Sequence, residues 1–147
     1  MKLTIAATTI LLGILAAIAA IAIPNLHTAM GRSKQKHTMA DVRSIATAWE
    51  ARATDVNTYD VTRRRSPAMT SIALRDMRRA LVPTYIKVLP ARDGWGQPFQ
   101  FATSGQHYFI RSSGADSLFD HSVGPTTSFD NDIVYSDGTF LEYAEGV

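Results

Sequence analysis

The chain has 147 residues, which is room for one small core and an accessory segment rather than for two independent domains. It contains no cysteine, so a disulfide framework, a thiolate metal site, a cysteine nucleophile and a lipidated N-terminal cysteine are all excluded. Its formal net charge is only +2 despite a pI of about 9.1, a modest excess that gives no argument for nucleic acid as a partner.

The 21 residues from Leu3 to Ile23 are alanine, isoleucine and leucine apart from three threonines and one glycine. As a helix rising 1.5 Å per residue they just cross ~30 Å of hydrocarbon. The threonine hydroxyls can bond to carbonyls of their own helix, so Thr4, Thr8 and Thr9 are tolerable there. A cleaved secretory signal is the competing reading, since Ala17-Ile18-Ala19 and Ala20-Ile21-Ala22 both satisfy the small-x-small rule and Lys2 is a minimal basic n-region. Against it, the apolar run extends to Ile23 and no polar c-region precedes either cut. A buried core helix fits poorly, because so small a domain could not cover a helix that is apolar all round. Pro24 then stands where apolar sequence gives way to polar sequence, and it removes one helical hydrogen bond. Residues 1–24 are therefore predicted as a transmembrane or filament-core helix and 25–147 as the soluble domain.

Beyond Pro24 the helix is predicted to continue to about residue 55, with Val42, Ile45, Ala46, Trp49 and Ala53 forming one apolar stripe that packs on the rest of the domain. Asn57-Thr58-Tyr59-Asp60 breaks the pattern, and Arg63-Arg64-Arg65-Ser66-Pro67 reads as a solvated loop. A short amphipathic helix is predicted from Ser71 to Val82, ending before Pro83. Loop and short helix together occupy 56–83. The remaining residues, 84–147, have the texture of short strands between turns: Gln97 to Ala102, His107 to Ser112, Asp132 to Tyr135 and Thr139 to Tyr143. Ser136-Asp137-Gly138 marks a tight hairpin between the last two. The fold class predicted is α+β, a long N-terminal helix packed on a small antiparallel β-sheet domain.

The stretch from Gly13 through Leu15 and Ile18 to Ile23-Pro24-Asn25-Leu26 resembles the N-terminal helix of type IV pilins and type II secretion pseudopilins, which reads GILAAIAIPN. Here the interval between glycine and proline is three residues longer, as if one Ala-Ala-Ile were repeated. The second half carries the likeness further, with Leu89-Pro90, then Asp93-Gly94-Trp95-Gly96-Gln97-Pro98-Phe99-Gln100-Phe101, then Ser113-Gly114-Ala115-Asp116, then Asp130-Asn131-Asp132-Ile133. Major pseudopilins of type II secretion show a similar order of motifs. Two departures accompany it: the family's basic leader ending in glycine does not precede the helix, and no acidic residue comes before Asp41. The resemblance implies a pilin-like structural subunit in a homo-oligomeric filament, assembled with other pilin or pseudopilin subunits on an inner-membrane platform. It implies a single-pass protein of the bacterial inner membrane with its soluble domain on the periplasmic or extracellular side. Positive-inside counting alone points the other way, because Arg32, Lys34, Lys36 and Arg43 follow the span.

Asp116, Asp120, Asp130 and Asp132 with Asn131 offer hard oxygens to a calcium ion, but aspartates also favour turns, and spacing leaves both readings open. The resemblance carries a structural calcium site onto Asp116 and onto Asp130 or Asp132. In Trp95-Gly96-Gln97-Pro98 the glycine permits a tight turn, Pro98 prevents helix, and Trp95 is expected to cap the core. His27, His37, His107 and His121 show no triad or metal spacing and no phosphate-binding glycine loop occurs, so no enzyme is expected. The alternative from another class is a secreted or membrane-anchored periplasmic binding module acting through its β region.

Overall fold

The computed structural model describes residues 2–62, 68–120 and 124–145. The arginine run Arg63–Arg65 with Ser66-Pro67, and His121, lie outside the described residues. Helix α1 spans Lys2–Val56 and runs through Pro24 without interruption. By contacts the chain forms two compact units, residues 1–32 and 33–147.

In the first unit the helix from Ala7 to Ile23 carries no charged side chain, and Thr8 and Thr9 are its only hydroxyls. Ile10, Leu12, Ile14, Ile18 and Ile21 are all exposed. It is a candidate membrane span by length and composition. Thr8 and Thr9 donate their hydroxyls to the Ile5 carbonyl at 2.9 and 3.0 Å, which satisfies them within the helix.

The second unit is α+β. The C-terminal part of α1 lies on a six-stranded sheet built from β1 (Thr70–Ile72), β2 (Gln100–Thr103), β3 (Tyr108–Ser112), β4 (Gly124–Thr126), β5 (Ile133–Ser136) and β6 (Thr139–Ala144). Their order across the sheet is β1-β2-β3-β5-β6-β4. Every pairing is antiparallel except that of β4 with β6. A short helix, α2 (Leu74–Leu81), joins the same core.

The predicted stripe on α1 is the core-facing one: Val42, Ile45, Ala46 and Trp49 are buried. Trp49 packs at ring-centroid distances of 6.3 Å from Phe101 and 5.1 Å from Tyr108, and its indole N–H donates to the Tyr59 carbonyl at 2.9 Å. The polar end of the ring is thus satisfied while the rest stays dry. On α2 the buried pair is Met77 and Leu81, one turn apart, with Arg75, Arg78 and Arg79 left exposed.

The region predicted as helix from Ser71 to Val82 divides. Thr70–Ile72 is strand β1, and the helix begins only at Leu74. Ile72 stands opposite Phe101 and is buried, and burial on the sheet outweighs the local helical pattern. Strand β4 was not predicted, because Gly124-Pro125-Thr126 has no apolar alternation and pairs only through backbone with Glu142, Tyr143 and Ala144. The hairpin turn has Asp137 and Gly138 both at positive φ, 47° and 91°, the combination a two-residue turn of this hand needs.

Candidate functional site

Asp93 organises the first motif of the β region. It is buried, and its Oδ1 accepts from the N–H groups of Trp95 at 2.9 Å and Gln97 at 2.8 Å, while Oδ2 accepts the Ser112 hydroxyl at 2.6 Å. A carboxylate with these donors defines the turn and ties it to β3. Gly94 brings the turn onto α1: its N–H donates to Thr38 Oγ1 at 2.8 Å, and that hydroxyl donates to the Lys34 carbonyl at 2.9 Å. Trp95 is only half-buried, so the expected cap on the core is a smaller feature than the buried Asp93 beside it.

The loop from 113 to 132 carries the carboxylates assigned to calcium. Asp116 is exposed and its Oδ1 accepts from the Leu118 N–H at 2.9 Å, a local turn. Asp130 is also exposed, and its Oδ2 accepts the Ser128 hydroxyl at 3.1 Å. Asp132 is fully buried. Its Oδ2 receives the Arg111 guanidinium through Nε and Nη2, and the Asp120 N–H at 3.2 Å. Burial pushes the Asp132 carboxyl above its ordinary pKa, opposed by Arg111, with the neighbouring Glu142 charge raising it further. Among the described residues no three histidine, aspartate or glutamate side chains gather where they could hold a metal ion. The side-chain oxygens of Asp116, Asp130 and Asp132 are engaged separately, with the Leu118 N–H, the Ser128 hydroxyl and Arg111.

Arg111 was not singled out in the sequence. Its partner lies 21 residues away, and only the alignment of β3 with β5 brings the two together. A second pair of the same kind joins α1 to the sheet: the Tyr108 hydroxyl, at the start of β3, donates to Glu50 Oε1. Burial, then the Glu50 hydrogen bond, push the Tyr108 pKa well above the usual phenol range. An open hollow of about 360 Å³ lies beside it, lined by Glu50, Thr54, Asn57, Tyr59 and Gln106. The described histidines of this unit make local surface pairs, His37 with Asp41 at 3.1 Å and His107 with Asp137 at 2.9 Å.

No curated protein and no solved structure matches the chain. The family described as Type II secretion system (T2SS), protein G matches residues 25–133, a stretch that includes the core stripe of α1, the turn at Asp93 and the loop up to Ile133. That family is one of structural secretion-system components, the major pseudopilins, and it is not a known enzyme family. With a helix capable of spanning a membrane at the N-terminus and a pilin-like α+β domain after it, the chain belongs to the type II secretion protein G family of pseudopilins.

Proposed function

We propose that this pseudopilin is a filament-forming subunit, held in the inner membrane by the first turns of α1 and joined through the same helix to further copies and to an inner-membrane assembly platform. The observation that carries the reading is the uncharged apolar surface of the helix from Ala7 to Ile23, which water does not solvate favourably and which lipid or identical neighbouring helices would cover. Small residues in this stretch, Ala16, Ala17, Ala19 and Ala20 with Gly13, allow close approach of another helix. The soluble domain is placed on the periplasmic side, in keeping with the resemblance to pseudopilins.

The test is a charge in the middle of the span. Gly13→Glu or Ala16→Glu costs ~2.5 kcal/mol or more of insertion free energy, so the full-length variant is expected to leave the membrane fraction and to be absent from sheared filaments. A variant that fractionates with membranes and filaments as the parent does sinks the proposal.

A further inference from the structure

We propose that Arg111 is the resident cation between residues 119–120 and Asp132, holding these stretches together in place of a bound metal ion, so that their order does not depend on calcium. The guanidinium sits where three separate stretches of chain converge. From β3 it reaches Asp132 at the entry to β5 and the carbonyl oxygen of Asp120 in the middle of the loop, and its Cζ lies 4.7 Å from the centroid of the Phe119 ring. Collecting a carboxylate and a carbonyl from distant segments is the task a structural calcium ion performs with its oxygen ligands. Here a planar fork of N–H donors performs it.

Three further observations favour the side chain over an ion. The Asp132 Oδ2 an ion would need is already shared by Arg111 and the Asp120 N–H, and a divalent cation at that oxygen would stand against a fixed guanidinium charge. Asp132 Oδ1 is buried with no hydrogen-bond partner, but one oxygen falls far short of a calcium shell. The neck of the loop is closed by backbone: the Ala115 N–H donates to the Phe129 carbonyl at 2.9 Å, and a Cβ on Gly114 would lie 2.4 Å from the Asp130 oxygen and 2.5 Å from the Asn131 oxygen. Those carbonyls are packed against the glycine, at φ 65°. The cation also has more than one acid to neutralise. Arg111 stands opposite Val134 and Val134 opposite Glu142, so the guanidinium and the buried Glu142 share one face of three adjacent strands.

The experiment uses the full-length protein in detergent micelles and reads two quantities, the thermal midpoint and the rate of proteolytic cutting within 113–131, each in millimolar calcium and in excess chelator. The wild type is expected to give the same midpoint and the same cutting rate in both. Arg111→Met is expected to lower the midpoint and raise the cutting rate by about tenfold or more, since it leaves a buried carboxylate uncompensated. Arg111→Met with Asp132→Asn is expected to recover much of that protection, because both charges are gone. A wild-type loop that calcium protects or a midpoint that calcium raises overturns the inference, as does an Arg111→Met loop cut no faster than the parent. If Arg111→Met does not accumulate, the wild-type comparison decides alone. None of these readouts involves filament assembly, so the result is independent of the function proposed above.

Discussion

Tyr108 shows how a single side chain joins the helix to the sheet. Its ring lies in the aromatic core against Trp49, Tyr59 and Tyr135, while its hydroxyl reaches Glu50 on α1. A phenol whose folded pKa is raised keeps its proton when the unfolded chain has lost it. Its contribution is therefore fully present below the unfolded value near 10 and is lost as pH rises beyond that. Stability should fall with alkaline pH by up to about 1.4 kcal/mol per pH unit for such a group. Tyr59 and Tyr135 are raised in the same direction, chiefly by burial, and add to the slope. Tyr108→Phe is expected to lose about 1–2 kcal/mol near pH 8, where the hydrogen bond is intact, and to flatten the decline above pH 10 in part. Denaturant unfolding from pH 8 to 11 checks both, and an unchanged alkaline slope would remove Tyr108 from the account. Trp49 was legible as core because its partners recur at helical spacing along α1. The Tyr108 to Glu50 pair was not, since 58 residues separate its members and no local pattern links them.

At the scale of elements, the decisive contact is that of the Asp93 turn with α1. A Cβ on Gly94 would lie 2.4 Å from the Lys34 carbonyl oxygen, which is backbone in a helix and cannot yield as a flexible side chain would. Gly94→Ala should therefore push the turn off the helix and cost about 1–3 kcal/mol, read as a lower thermal midpoint. Gly96→Ala makes the comparison: nothing lies within 4 Å of a Cβ there, so its cost comes only from the φ of 89°. Equal losses for the two variants would mean that the close approach is not what Gly94 serves. The run of residues from Trp95 to Pro98 could be read in the sequence as a tight turn, but the docking of Gly94 beside it on Thr38 could not, because Thr38 lies 56 positions earlier on a polar part of the helix. The same limit explains the missed strands. β1 and β4 are three residues each, and they are strands only because β2 and β6 offer a free edge. Long periodic elements such as α1 carry their own signal, and short ones borrow theirs from neighbours.

At the scale of the molecule, the charges beside the apolar stretch oppose the placement of the domain proposed above. Arg32, Lys34, Lys36 and Arg43 follow the apolar stretch and would hold residues 33–147 in the cytoplasm by the positive-inside rule. The placement proposed above is periplasmic, and the cysteine-free chain makes it simple to test. Thr139, exposed in the last hairpin, can be replaced as Thr139→Cys and treated in spheroplasts with a maleimide that does not cross the inner membrane. Labelling in intact spheroplasts is expected, and labelling only after lysis would reverse the orientation. The position of β6 has a further consequence for how the domain comes into being. This strand, latest in sequence, lies between β5 and β4, and the carbonyl of its Ala144 is held by Gln35, 109 positions earlier. A polypeptide leaving the ribosome or a translocation channel N-terminus first can set Trp49 against Phe101 and Tyr108 before β6 emerges, but the Gln35 contact must wait for Ala144. Until β6 emerges β5 presents a bare edge and β4 has nothing to pair with, so both are open to pairing with the wrong chain.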